Sequence, residues 1–253
     1  MSIISPGAEY LITQTDWQTA YGVICVFLVS ALLVATLLIR DPPTHETNTG
    51  HPTHTSSSPS TGEAITTLAS SLSFQLLFLR WILIYTTLYV VFLNLPVYTA
   101  DLGLTTQVGA VALGVIGATS VLSRLTVGFA ADHLGRTTMF TLSSALMGVS
   151  TLFFPFVETA GVFYLIAMCY GLGYGGNGAL LSPLMADFYG TANINTVFGL
   201  ISMSFAISGL FTPYLAGNIY DLTGTYTVPF LLSGVLAIGG AGLIATAKRT
   251  ATT

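Results

Sequence analysis

The spacing of charges limits this chain more than any other feature. Uncharged runs cover residues 17–39, 81–100, 102–123, 137–157, 159–186, 188–220 and 222–247. A run of about 20 residues, rising about 1.5 Å per residue, crosses roughly 30 Å of hydrocarbon as a helix. Open sheet edges cannot be satisfied in lipid, so helices are the economical reading. Composition agrees: 53% of the 253 residues are hydrophobic and 6% are charged, with mean hydropathy +0.79. A soluble domain is about a quarter charged. So little charge cannot cover a water-facing surface, and the lipid bilayer is the expected solvent. The expected fold class is all-α, a polytopic membrane helix bundle with about seven spans, near 18–39, 76–99, 106–130, 139–156, 162–184, 196–218 and 227–247. Residues 1–12 read as the last turns of a further helix.

Other classes are set aside by the same residues. The net charge is −4 with no basic patch, so no nucleic-acid partner is expected. Cys25 and Cys169 lie in separate apolar runs and read as small buried hydrophobes without a disulfide. The first charge is Glu9 and no basic segment precedes the first apolar run, so no cleavable signal peptide is expected. Residues 40–67, "RDPPTHETNTGHPTHTSSSPSTGEAITT", are rich in Pro, Ser, Thr and His and hold no aromatic residue. They read as a disordered linker. His45, His51 and His54 are irregularly spaced and no cysteine accompanies them, so no metal site is expected there, and no cofactor elsewhere. Three regions are expected: 1–39, a linker at 40–73, and a helical body at 74–253.

Basic residues orient the bundle. With the linker on the cytoplasmic side, Arg40, Arg136, Lys248 and Arg249 lie inside, and the turns near 101–105, 157–161 and 219–226 hold no Lys or Arg. That is the positive-inside pattern. The expected localisation is the cell membrane, multi-pass, with linker and C-terminus cytoplasmic. Arg80, just before Trp81, reads as a snorkelling anchor at the inner mouth of its helix.

Arg124 differs. It sits in "SVLSRLTVGFAADHLGR" (120–136), eight residues before Asp132, or about 12 Å along a helix. That is deep in the bilayer, where insertion costs about 2.5–3.5 kcal/mol. The spans hold no acidic residue to pair with it. Either Arg124 lines a polar pathway and meets an anionic ligand through its planar fork, or it bonds carbonyls of a neighbouring helix. "YGLGYGGNGALLSP" (170–183) contains a formal G-x-G-x-x-G, but no strand precedes it and it lies inside an apolar span. Close helix approach through Gly171 and Gly175 is the better reading. Asn177 lines the same pathway or makes an interhelical hydrogen bond.

"GFAADHLGR" (128–136) resembles the loop motif between the second and third helices of each half in the major facilitator superfamily. "LNLPVYTADLGLT" (93–105), "SRLTVGFAADHLGR" (123–136), "YGLGYGGNGALLSPLMADFYG" (170–190) and "FGLISMSFAISGLFTPYLAGNIYDLTGTY" (198–226) resemble its monocarboxylate-transporter-like and oxalate/formate-antiporter-like branches. The resemblance implies half of a major-facilitator fold. Residues 1–12 match the end of the fifth helix, 16–43 the sixth, and the remaining six spans the C-terminal half; most of an N-terminal half is missing. It also implies that Arg124 holds a substrate carboxylate. Ser120, Asn177 and Asn94 are further candidates on that path. Asp132, with Gly128, Gly135 and Arg136, is implied as the inner gate, Asp132 pairing with Arg136 or with the start of the eleventh helix at 193–196. A solvated loop charge is the alternative.

The departures bear on the substrate. Ser120 stands where proton-coupled carriers commonly have an aspartate. Phe205 stands near the position of a lysine in oxalate carriers. One cation fits a singly charged or neutral substrate better than a dianion. In the loop motif His133, Thr137 and Thr138 replace the usual basic residues. The expected function is secondary transport of a small carboxylate or similar organic anion, with a complementary N-terminal transporter half as a possible partner. A truncated, non-transporting membrane fragment is the alternative. A membrane enzyme is the weakest reading, because the spans hold no acid–base pair, metal cluster or activated nucleophile.

Overall fold

The computed structural model describes residues 17–38, 68–190 and 194–251. Regular structure among them is helical throughout: α1 (Trp17–Leu38), α2 (Leu72–Asp101), α3 (Thr106–Leu134), α4 (Arg136–Phe153), α5 (Ala160–Tyr189), α6 (Ile194–Thr223) and α7 (Thr227–Ala251). A 3₁₀ turn, Phe154–Phe156, extends α4. Five of the described helices are long and apolar enough to cross a membrane: α2, α3, α4 with its 3₁₀ turn, α6, and residues 227–244 of α7. At 30 residues α5 has the length, but Gly171, Gly173, Gly175, Gly176 and Asn177 lower its apolarity. The uncharged α1, 22 residues long, is a unit described by itself. The end of a preceding helix at 1–12 and the three linker histidines lie outside the described residues.

Local chemistry sets the ends of the helices. Ser71 is the N-cap of α2: its Oγ accepts from Phe74 N at 3.3 Å and donates to Leu68 O at 2.8 Å. A short helical turn at 68–70 precedes it. Gly135 alone separates α3 from α4, at φ +88°. A side chain is strained in that backbone conformation, so glycine lets the chain reverse in one residue.

Short turns set successive helices antiparallel. Arg136 at the start of α4 bonds Asp187 near the end of α5 at 2.8 Å, which places both at one end of the bundle. At the other end, Tyr226 N donates to Asp101 Oδ2 at 3.3 Å, joining the α6–α7 turn to the end of α2.

Small residues set how closely the helices approach. A Cβ on Gly171 would collide with Ile116 and Thr119 of α3, and one on Gly175 with Ser120 and Ser123. On the opposite side of α5, Gly173 and Gly176 meet Ser143 of α4. Between α4 and α7 the contact is Gly148 on Gly234. The formal nucleotide motif is therefore continuous helix packed on two neighbours, the mode of association expected where lipid competes with every apolar side chain.

Two apolar clusters form the core. One holds Ile84, Tyr98, Ile116, Met147, Tyr170 and Phe230. The other holds Leu77, Trp81, Ala131, Phe140, Leu180 and Ile244. Between them along the helices lies a belt of buried polar residues: Arg80 on α2, Ser120 and Ser123 on α3, Ser143 and Ser144 on α4, and Asn177 on α5. Ser123 Oγ donates across the α3–α5 crossing to Leu172 O at 2.5 Å.

The glycine contacts make a contrast measurable by thermal melting of the purified chain. Gly175→Ala forces a methyl into the α3 backbone and is expected to cost about 1–3 kcal/mol. Gly114→Ala, where nothing lies within 4 Å, is expected to be neutral or to stabilise by up to about 1 kcal/mol through helix propensity.

Candidate functional site

A cavity of about 200 Å³ opens where α2, α3, α4, α5 and α6 meet. Trp81, Tyr85, Tyr174 and Phe205 give it aromatic walls, and Ile84, Leu88, Met147 and Leu181 add aliphatic ones. Its polar side chains, apart from the tyrosine hydroxyls and the Trp81 indole, are Arg124 and Asn177. The aromatic wall is packed edge to face: Tyr85 and Phe205 centroids lie 4.9 Å apart, near perpendicular at 84°, and Trp81 stacks on Tyr85 at 5.2 Å.

Arg124 projects from α3 across Gly178 of α5. A Cβ at Gly178 would lie 3.5 Å from its Nη2 and 3.6 Å from its Nε. The missing side chain leaves room for a flat guanidinium. Among the described residues Arg124 makes no hydrogen bond or ion pair, and the side chain is exposed in the cavity.

The other expected residues are not all brought together. Asn177 lines the cavity beside Gly178. Ser120 is buried one turn before Arg124, at the crossing with Gly175, and its Oγ donates to Gly117 O at 2.8 Å. Asn94 is half-buried and outside the cavity lining, its Nδ2 donating to Val90 O at 3.1 Å. Gly128 has open space around it. Asp132 is exposed and makes no ion pair among the described residues, which exclude 191–193. Arg136 pairs instead with Asp187, both about half exposed, at 42% and 49%.

Arg80 requires a correction. It is not a snorkelling anchor: its side chain is fully buried. The helix starts at Leu72, eight residues earlier, so about 12 Å of helix lies between Arg80 and the end it was expected to reach. Its Nη2 donates to Ser144 Oγ and, at 3.2 Å, to Asn177 Oδ1. The guanidinium carbon sits 3.8 Å from the Phe140 ring centroid and 4.8 Å from that of Trp81. Ser144 Oγ lies 3.0 Å from Asn177 Oδ1 and 2.8 Å from Phe140 O, with one proton to give between them. Asn177 Nδ2 donates to Gly173 O at 3.3 Å and to Met147 Sδ at 3.4 Å. The apolar residues on both sides of Arg80, "LLFL" and "WILI", are the signal that marks it as deep.

The cysteines also differ from expectation. Cys25 is exposed and Cys169 partly buried, both free; with lipid as the solvent, an apolar side chain gains little by turning inward. Among the described residues no group of three or more His, Cys, Asp or Glu is placed to hold a metal.

Comparison with known proteins gives the same lineage. The family model described as Major Facilitator Superfamily matches residues 1–213 and 118–252. Monocarboxylate transporter 13 of Rattus norvegicus is 24% identical over 244 residues, 96% of this chain and 55% of the relative. Monocarboxylate transporter 2 of Homo sapiens is 25% identical over 258 residues, 94% of this chain and 54% of the relative. Monocarboxylate transporter 12 of Xenopus laevis is 27% identical over 161 residues, 62% and 35% of the two chains. The chain thus spans about half the length of the first two.

Asn177 is the acceptor that Arg80 and Ser144 share. Asn177→Ala removes a hydrogen bond to a buried charge and is expected to cost about 1.5–3 kcal/mol in chemical unfolding. Asp187→Asn, which breaks the half-exposed pair with Arg136, is expected to cost less than about 1 kcal/mol.

Proposed function

The chain belongs to the major facilitator superfamily, and on that premise we propose that it forms the C-terminal half, with the sixth helix, of a secondary carrier for small organic carboxylates. The observation that carries this reading is Arg124: a cation with no protein partner among the described residues, in a cavity whose lining holds no acid. A bidentate guanidinium matches a carboxylate in geometry and charge. Aromatic and aliphatic walls suit the organic part of such an anion. Phe205 in the lining, rather than a second cation, favours a monoanion over a dianion.

Carriers of this superfamily bind substrate between two six-helix halves near the bilayer midplane. Transport is therefore proposed for this chain working with a complementary half. The inner gate is placed at the α3–α4 turn, where Gly128, Asp132, Gly135 and Arg136 cluster in sequence; the exchangeable Arg136–Asp187 pair supports that placement. The positive-inside charge pattern supports a cytoplasmic position for this end and a cell-membrane location for the protein.

Binding of a monocarboxylate panel to the purified chain, and uptake into vesicles with a complementary half supplied, test the reading. Arg124→Lys keeps the charge and loses the fork, so affinity falls about tenfold. Arg124→Gln abolishes binding while folded yield stays near normal, because an insertion cost of about 2.5–3.5 kcal/mol is removed. Collapse of the folded yield for Arg124→Gln overturns the ligand role. For orientation, a cysteine at Glu158 is expected to react with an impermeant reagent applied outside, and one at His133 to be protected.

A further inference from the structure

Arg80 is a buried charge that the proposed carboxylate site does not use. Its guanidinium is fully buried, its Nε and Nη1 make no hydrogen bond, and the salt bridge among the described residues is elsewhere, at Arg136–Asp187. Two of its contacts, Asn177 and Trp81, line the cavity. The wall between charge and cavity is one side chain thick. A positive charge held there is weakly screened, because neither water nor salt surrounds it.

Packing alone does not account for an arginine at this place. A residue of similar bulk without charge, such as Met, would insert at lower cost and fill the same gap between Phe140 and Trp81. The charge makes two differences that a methionine does not. It adds a positive potential to a cavity whose lining carries one cation. It also keeps Asn177 Oδ1, an acceptor that repels anions, engaged by Arg80 and Ser144.

We propose that Arg80 is a positioning residue for anion binding: a second positive charge, set behind Asn177 and Trp81, that draws a carboxylate into the cavity toward the fork of Arg124. The inference rests on the carboxylate reading of the site and names a second residue for it. It does not require Arg80 to touch the ligand.

Ser144 offers a way to quench this charge from a position outside the cavity lining, with the Asn variant as the control for the Asn177 contact that both substitutions change. It is fully buried, bonded to Arg80 and outside the cavity lining. Ser144→Asp gives Arg80 a carboxylate partner, and Ser144→Asn adds comparable bulk without charge. Benzoate and its neutral analogue benzamide serve as probes, with calorimetry on the purified full chain in lipid nanodiscs. The unchanged chain is expected to prefer benzoate. Ser144→Asp is expected to weaken benzoate about tenfold more than Ser144→Asn does, through loss of the buried field. Benzamide binding should be alike in the two variants. Ser144→Asp should also melt no lower than Ser144→Asn, since it supplies a counter-ion.

Equal benzoate affinity in the folded Asp and Asn variants overturns the proposal. So does a Ser144→Asp chain that fails to fold, because a guanidinium in need of an anion gains from the carboxylate. Arg80→Gln gives an independent reading: folded protein with benzoate affinity unchanged also overturns it. Failure of the unchanged chain to prefer benzoate over benzamide removes the carboxylate reading itself. Loss on Arg124→Gln with retention on Ser144→Asp removes the Arg80 role alone.

Discussion

A guanidinium enclosed by a lipid-solvated bundle, with no carboxylate against it among the described residues, constrains everything packed around it. Inserting such a group costs about 2.5–3.5 kcal/mol. Hydrogen bonds to a charge return about 1.5–3 kcal/mol each, and a desolvated cation over an aromatic face about 2. Arg80 therefore needs only a few contacts, but they must meet at one point. Ser144 comes from α4, Asn177 from α5, and the Phe140 ring from α4 again. These three helices are held in register at the height of Arg80, and the two apolar clusters fill the space on either side.

The register is reached through small residues. On α5, glycines meet α3 on one side and α4 on the other, so three backbones come close together. Without a hydrophobic drive between helices in lipid, such contacts and the polar belt supply the association. Gly178, one position past Asn177, faces the cavity instead and leaves the flat space that Arg124 occupies. One helix thus holds one arginine behind the cavity wall through Asn177 and leaves the other open to the cavity.

The bundle ends work by a different chemistry. Arg136 and Asp187 are about half exposed, and such a pair is worth at most about 1 kcal/mol. A contact this weak holds a conformation without locking it. The opposite end is tied by Asp101 to the Tyr226 amide and by Tyr98 to Thr227. The first end thus joins consecutive helices, α4 and α5, and the second joins helices distant in sequence, α2 and α7.

The lipid-solvated all-helical class, the helix positions to within a few residues, and the oddity of Arg124 were legible in the sequence, because each depends on composition and one-dimensional spacing. The charge-poor runs had to be helices in lipid whatever their neighbours. Depth is also a one-dimensional property, and for Arg80 the apolar residues on both sides contained it; only the early start of α2 at Leu72 turned that hint into burial. Partner choice was not legible. Nothing in the spacing says that Arg136 bonds Asp187 on α5 rather than Asp132 at the end of α3, or that Ser120 turns to a glycine crossing while Arg124 reaches the cavity. Those outcomes depend on which faces of α3, α4 and α5 meet, and the tertiary packing of small residues decides that.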